Sequence, residues 1–172
     1  MTYTGLDFQV ITADAEEIKQ GAPEALVMEN ARRKAQAVAA LHPGSVVLGA
    51  DTVVYQDGQV LGKPKDEEDA RRMLRALSGK SHSVFTGVCL ISAQGSAETR
   101  YEESRVEFVP LTEEAIDWYV ASGEPMDKAG AYAVQGRAGM FVSGIQGSYS
   151  NVIGLPMALV RQMLQRAGFP LP

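Results

Sequence analysis

The segment over residues 46–55 most constrains the fold, because it has the pattern of a strand buried on both faces with an acid inside it. Valine and leucine precede the small pair Gly49-Ala50, Asp51-Thr52 follows, and the apolar run then resumes. Continuous apolar runs are typical of strands that are covered on both sides. Because an unpaired buried carboxylate is costly, Asp51 is either a cap at a strand end or a functional group with a partner.

Secondary-structure signals alternate along the rest of the chain. We predict helices over residues 23–41, between Asp66 and Gly79, over 112–122 and over 156–167. We predict strands over residues 8–12, 60–61, 84–92, 99–109 and 140–142, the two longest as antiparallel neighbours. No long linker, repeat or low-complexity tract interrupts this alternation. The prediction is one α/β domain over residues 1–172, with a mixed β-sheet flanked by helices.

Composition limits the class of protein. Hydrophobic residues make up 45% of the chain and charged residues 22%, which is ordinary for a soluble globular domain. The net charge of −5 disfavours a general nucleic-acid binder, but it allows a small anionic substrate in a local basic pocket. No apolar stretch approaches membrane-spanning length, and the single cysteine, Cys89, provides no disulfide framework. We expect a cytoplasmic enzyme or binding protein with neither nucleic acid nor membrane as partner.

Several polar segments lie at the ends of predicted elements, where functional sites are usually built. Taken singly, each candidate has a plain structural alternative: a solvated lysine for Lys34 and Lys63, a satisfied strand histidine for His82, and a weak surface ion pair for Asp127-Lys128. None of them matches a Walker loop, a dinucleotide fingerprint, a zinc-ligand spacing or a Ser-His-Asp order. Individually, these residues leave the function open.

Five motifs taken in order resemble a single family. They are GADT, GKP, LSG-x-x-H-x-V-x-TGV, DKAGAY-x-x-QG and GSY-x-x-V-x-GLP, and the resemblance runs from about Gly5 to the C-terminal helix. Together they resemble the Maf proteins, which are nucleoside triphosphate pyrophosphatases also described as septum-formation inhibitors. The resemblance implies an elongated α/β structure around a long, bent mixed sheet, with a cleft between two lobes, related to the inosine triphosphate pyrophosphatases. It also implies that the chain can form a homodimer.

The resemblance assigns catalytic roles to four residues. Asp51 corresponds to the family's general base, and Lys34 and Lys63 match lysines implicated in binding and catalysis. Glu16 matches an acidic position that helps, with Asp51, to hold a divalent metal. This assignment agrees with the chemistry of phosphoanhydride cleavage, which needs a carboxylate to deprotonate water and cations to neutralise the phosphates. All-oxygen ligands favour Mg²⁺ or Mn²⁺.

Two further residues match positions that sort substrates, Thr52 and Gln135. The combination of GADT with a glutamine in DKAGAY-x-x-QG resembles the dTTP/UTP subgroup. An amide with paired donor and acceptor groups suits the reading of a base. We therefore expect hydrolysis of dTTP or UTP to the monophosphate and pyrophosphate. The alternative substrate is 7-methyl-GTP, which a related subgroup with a different residue after the aspartate hydrolyses.

The N-terminal end differs from the family pattern. The family begins with a strand, an S-x-S-P-R-R loop and a helix that ends at a G-[LIV]-x-[FY] step, which residues 5–8 resemble. We expect this chain to be N-terminally truncated relative to the family, either because the first Met is internal to a longer protein or because the chain is a shortened form. The loop's arginines are expected to clamp the triphosphate. Their absence leaves a second function open, a nucleotide-binding regulator of cell division without turnover.

Overall fold

A computed structural model describes residues 6–170, so the expectations about residues 1–5 and 171–172 lie outside the described part. The helices are α1 (Pro23–Leu41), α2 (Glu67–Leu77), α3 (Glu113–Val120), α4 (Tyr149–Ile153) and α5 (Met157–Arg166). The strands are β1 (Val47–Gln56), β2 (Gln59–Leu61), β3 (Ser81–Ile91), β4 (Ala97–Phe108) and β5 (Val142–Gln146). Short 3₁₀ turns cover Glu124–Asp127, Ala129–Ala131 and Arg137–Phe141.

The five strands form one sheet in the order β2-β1-β3-β4-β5. The predicted α/β class, with helices flanking a sheet, is confirmed. All four strand pairings among the described residues are antiparallel, whereas a mixed sheet was expected. Tight turns join β1 to β2 and β3 to β4, and turns of that length connect antiparallel neighbours only. The predicted pairing of the two longest strands is likewise confirmed.

Local signals placed the helices well. α1 begins with Pro23 in its first turn, where a missing N–H costs nothing. Asp66 caps α2 by accepting a hydrogen bond from the Asp69 N–H at 2.8 Å. Thr112 caps α3 in the same way, with the Ala115 N–H as donor at 3.2 Å. The prediction of α1 and of both caps is confirmed.

Two predicted strands are wrong. Residues 8–12 form no strand, because they have no ladder partner among the described residues, and Val10 remains 87% exposed. Residues 140–142 are mostly a 3₁₀ turn, and the strand begins only at Val142. The register shifts at this point, since Glu107 pairs with Gly144 and Phe108 pairs with Val142, which leaves Ser143 as an extra residue in β5.

Helix α1 lies unusually close to the sheet because two glycines face it. A Cβ added to Gly49 would stand 2.5 Å from the Ala31 carbonyl oxygen, and one added to Gly87 would collide with the Val27 carbonyl. Gly87 pairs across the sheet with Asp51. These glycines therefore let the α1 backbone approach the sheet at the position of the acid in β1.

The opposite face of the sheet is covered by two apolar clusters. The larger joins α2 and α3 to the middle of the sheet, and it includes Val84 of β3. The smaller packs α5 against Val88 and Leu90 farther along the same strand. The long strand β3 thus contributes side chains to both apolar clusters. No helix within residues 6–170 is long and apolar enough to span a bilayer.

Candidate active site

A cleft of about 750 Å³ lies beside β1. Its volume falls within the range of roughly 300–1,000 Å³ that is usual for small-molecule sites. The cleft is bounded by residues 17–19, the N-terminal half of α1, β1, the segment after β2, residues 127–135 and residues 152–154. The charged side chains that line it are Lys19, Lys34, Lys63, Lys65, Arg72 and Lys128, with Glu17, Asp51, Asp69 and Asp127. Basic groups outnumber acidic ones here, although the whole chain is acidic.

Both oxygens of the Asp51 carboxylate are held by helix α1. Lys34 Nζ lies 2.6 Å from Asp51 Oδ1, and Asn30 Nδ2 donates to Asp51 Oδ2 at 3.0 Å. The Asp51 side chain is only 10% exposed. Because these bonds fix the carboxylate orientation while it still lines the cleft, Asp51 is a partnered acid within a strand and not a loop cap.

Lys34 bridges two carboxylates. Its Nζ lies 2.7 Å from Glu17 Oε1 as well as 2.6 Å from Asp51 Oδ1. Burial disfavours the charged ammonium, but the hydrogen bonds with Asp51 and Glu17 outweigh it and raise the pKa of Lys34. The same bond to Lys34 lowers the pKa of Glu17, and the charge of Lys63 adds to that effect. Lys34 and Glu17 therefore form an ion pair at neutral pH, and Asp51 shares the same ammonium group.

Asn30 is a site residue that the sequence reasoning missed. Its side chain is buried and pairs with both backbone groups of Ile18: Oδ1 accepts from the N–H at 2.8 Å, and Nδ2 donates to the carbonyl at 3.0 Å. This clip holds the segment that carries Glu17 against α1. A detectable signal was available, because Asn30 is a polar residue on the apolar face of α1, four residues before Lys34.

Lys63 reaches the cleft from the segment that follows β2. Among the described residues it has no carboxylate within ion-pair distance, whereas Lys34 and Lys128 are both paired. Its charge helps to lower the pKa of Glu17 and of Asp127, after the larger effects of their own lysine partners. Lys63 is therefore available for an anionic ligand.

Thr52 lies on the other face of β1, although it follows Asp51 directly. Its hydroxyl is 2.9 Å from the hydroxyl of Thr86, which donates to the Asn151 carbonyl at 3.0 Å. Gly154 approaches closely, since a Cβ there would stand 3.3 Å from Thr52 Oγ1. The immediate partners of Thr52 are thus neutral hydrogen-bonding groups.

Gln135 lines the same cleft from an exposed position after the second 3₁₀ turn. His82 lies beneath this region, buried, with Nε2 2.8 Å from the hydroxyl of Tyr132. Burial lowers the pKa of His82 to about 4, so it is neutral at physiological pH. His82 is a buried core histidine, but it is only half satisfied, because its Nδ1 has no hydrogen-bond partner among the described residues.

The structure brings five of the six predicted site residues to one cleft: Asp51, Lys34, Lys63, Thr52 and Gln135. Glu16 is exposed and does not line it; its backbone carbonyl accepts from Arg33 at 3.0 Å. Its neighbour Glu17 faces the cleft instead. Within residues 6–170 no group of three or more His, Cys, Asp or Glu side chains could hold a metal ion by itself. The predicted roles of all six residues stay predictions.

This chain belongs to the family described as Maf-like protein, whose model matches residues 1–167. It is 53% identical over 173 residues to a dTTP/UTP pyrophosphatase of Anaeromyxobacter dehalogenans strain 2CP-C, covering 98% of this chain and 87% of that protein. It is 49% identical over 170 residues to the dTTP/UTP pyrophosphatase of Symbiobacterium thermophilum, covering 97% and 87%. The solved Staphylococcus aureus Ham1 protein is similar with a TM-score of 0.48 and 14% identity, over 89% of this chain and 82% of that one.

Proposed function

We propose that this chain hydrolyses dTTP and UTP to the nucleoside monophosphate and pyrophosphate. The observation that carries the proposal is the Asp51 carboxylate, oriented by Lys34 and Asn30 at the edge of a basic cleft. The substrate is taken from the relatives named dTTP/UTP pyrophosphatase, which are about half identical to this chain over nearly its whole length. The cleft has the size and the charge that a nucleoside triphosphate requires.

Asp51 acts as the general base in this proposal. A water molecule that donates to the carboxylate loses its proton to Asp51, and its oxygen attacks the α-phosphorus. The bond between that phosphorus and the α–β bridging oxygen breaks, and pyrophosphate leaves with the electron pair. The bonds from Lys34 and Asn30 hold the carboxylate so that its remaining lone pairs face the cleft, which lowers the cost of orienting the water.

Lys34 and Lys63 neutralise the phosphates. Lys63 makes no ion pair among the described residues, so binding an anion costs it no partner. Lys34 already has two carboxylate partners and contributes its charge at the position of the base. Fixed cations of this kind stabilise the charge that develops on the leaving pyrophosphate.

A divalent cation, Mg²⁺ or Mn²⁺, completes the proposal. Glu17 Oε1 and Asp51 Oδ1 both contact the Lys34 ammonium group, so two carboxylates lie close together at the edge of the cleft. Mg²⁺ typically takes one or two carboxylates and completes its shell with water and substrate phosphates, and this donor set fits that pattern. We infer that Glu17, rather than Glu16, joins Asp51 as ligand. When bound, the metal would supply Lewis-acid activation of water and phosphate.

The nucleobase of the substrate binds on the Thr52 side of the cleft, where Thr52 and Gln135 form hydrogen bonds with its polar edge. Both residues line the cleft, away from the Lys34 cluster on the α1 face of the sheet. A site built to hydrogen-bond a substrate group rejects analogues that lack it. A cytoplasmic location near nucleotide pools is part of the same proposal. A role in septum formation rests on the family resemblance alone.

Pyrophosphate release tests the proposal. Purified protein is incubated with Mg²⁺ or Mn²⁺ and dTTP, UTP or 7-methyl-GTP, and the Asp51→Asn variant is measured beside it. We expect turnover of dTTP and UTP, lowered by about 10²–10⁴-fold in Asp51→Asn. Asp117→Asn is the matched control, because Asp117 is an exposed acid on α3 that pairs with Arg71. Full activity of Asp51→Asn would remove Asp51 as the base, and nucleotide binding without turnover would favour the regulator.

A further inference from the structure

The backbone on both sides of Gln135 is tied to one pair of side chains, the buried Tyr119 and the half-buried Glu124. The Ala133 N–H donates to the Tyr119 hydroxyl oxygen at 3.1 Å, and the Arg137 N–H donates to Glu124 Oε2 at 3.2 Å. The Tyr119 hydroxyl in turn donates to Glu124 Oε1 at 2.9 Å. Ala133, two positions before Gln135, and Arg137, two positions after it, are thus held by the same Tyr119–Glu124 pair.

The anchor of this pair is rigid. Tyr119 is fully buried in the core cluster, and its ring packs edge-on against Phe141 with 5.3 Å between the ring centroids. Burial raises the pKa of Tyr119 well above its ordinary value, with Glu124 adding to the effect. The hydroxyl therefore keeps its proton and can donate to Glu124 while it accepts from Ala133. Because a buried aromatic ring has few alternative rotamers, these bonds fix the loop to the core.

The fit between Glu124 and the loop is also steric. A Cβ added to Gly136, the residue after Gln135, would collide with the Glu124 carboxylate. The carboxylate thus lies against the loop backbone, and a larger residue at position 136 would force the Glu124 side chain to move. The contact with Glu124 and the two N–H bonds together hold the loop in place.

We propose that Tyr119 and Glu124 are positioning residues for substrate selection, which act by holding Gln135 at the base-binding side of the cleft. The inference rests on the proposed function, because it supposes that Gln135 reads the base. Neither residue lines the cleft itself. Their effect must therefore pass through the loop, and removal of Gln135 should abolish it.

A double-mutant cycle tests this inference. The measured quantity is selectivity, the ratio of kcat/KM for UTP to kcat/KM for GTP, in wild type, Tyr119→Phe, Gln135→Ala and the double variant. We expect Tyr119→Phe to lower the ratio about tenfold, since it removes two hydrogen bonds, one of them to a carboxylate. The double variant should be no less selective than Gln135→Ala alone, because the two residues act through one contact. Tyr101→Phe, which removes a half-exposed hydroxyl on β4, should leave the ratio unchanged.

Glu124→Gln is a second variant, which keeps the shape of the side chain but replaces one of its two acceptor oxygens with an NH₂ group. It can then accept from the Tyr119 hydroxyl or from the Arg137 N–H but not from both, and it should lower selectivity in the same direction. The inference is overturned if Tyr119→Phe stays within twofold of wild-type selectivity, even with a lowered melting temperature. It is also overturned if the effects of Tyr119→Phe and Gln135→Ala multiply. Wild-type protein without turnover of any nucleotide overturns the proposed function instead, and the same cycle is then measured as the ratio of UTP to GTP dissociation constants. Binding of neither nucleotide overturns both.

Discussion

Asp51 and Thr52 are neighbours in β1, yet they face opposite sides of the sheet and meet opposite kinds of partner. On the α1 face, Asp51 belongs to a cluster of charges with Lys34 and Glu17. On the other face, Thr52 belongs to a chain of neutral groups that runs through Thr86 to the Asn151 carbonyl. Because side chains alternate along a strand, two consecutive residues can supply one cleft with both reactive and recognition groups.

The two faces depend on different forces. The charged face is held by ion pairs and by the close approach of α1, so kcat should fall when a charge is removed or when α1 moves away from the sheet. The neutral face is held by hydrogen bonds with fixed donor direction, so selectivity between nucleotides should change when a single hydroxyl group is removed. The following variants test that division.

The largest effect is expected for Lys34→Gln. It removes the cation that Asp51 and Glu17 share, so the two carboxylates repel each other and the Asp51 carboxylate loses its orientation. We expect kcat for UTP to fall by about 10²–10³-fold, with little change in UTP-to-GTP selectivity. Lys80→Gln is the control, because Lys80 is an exposed lysine paired with Asp57 away from the cleft. A large change in selectivity with unchanged kcat would contradict the division of the two faces.

Gly87→Ala should separate α1 from the sheet. The added methyl group collides with the Val27 carbonyl, so the helix must move and carry Lys34 and Asn30 away from Asp51. We expect a loss of about 3 kcal/mol in the free energy of unfolding, together with reduced kcat, measured by urea denaturation and pyrophosphate release. Gly144→Ala on β5 is the control, since its Cβ would make only ordinary contact with Glu107. Wild-type stability of Gly87→Ala would refute the close-approach argument.

These two sites also show what sequence could predict. Helix α1 and the caps of α2 and α3 depend on residues within one turn, so local patterns predicted them. The predicted strand at residues 8–12 failed because a strand needs a partner that no local pattern supplies.

The candidate site divides in the same way. The motif residues Asp51, Lys34 and Lys63 all line one cleft, since each lies within or close to a regular element. The motifs could not distinguish Glu16 from Glu17, because the irregular segment that carries both is oriented by the clip from Asn30, 12 residues after Ile18. A polar residue on the apolar face of α1 marks Asn30 in the sequence, but the segment that it contacts is a property of the folded chain.

His82 provides a pH test of the neutral face. It lies on the Thr52 side, and burial lowers its pKa from 6.5 to about 4. Between these values the unfolded chain binds a proton that the fold excludes, so stability is full above pH 6.5 and falls as the pH drops toward 4. The loss is about 3 kcal/mol. Urea unfolding at pH 7 and pH 4 should show a larger decrease for wild type than for His82→Gln. Equal decreases would contradict a neutral buried histidine.

The smallest effect concerns one proton on the neutral face. The Thr86 hydroxyl donates its proton to the Asn151 carbonyl, so Thr52 must be the donor in the bond between the two threonines. Thr52 then offers a ligand only acceptor lone pairs. Uracil and thymine carry an N3–H that suits such an acceptor, whereas cytosine has a bare N3 at that position.

Thr86→Val should reverse this preference in part. Without Thr86 as acceptor, the Thr52 proton is free to donate, and cytosine N3 becomes an acceptable partner. We expect the ratio of kcat/KM for UTP to that for CTP to fall by about tenfold, roughly the value of one hydrogen bond. Thr99→Val, on the exposed strand β4 away from the cleft, is the matched control. An unchanged ratio would mean that Thr52 does not read N3. An equal fall in kcat for UTP and CTP would instead assign Thr86 to the charged face. Groups that act on the reacting phosphates affect the turnover of all nucleotides alike, whichever nucleobase they carry.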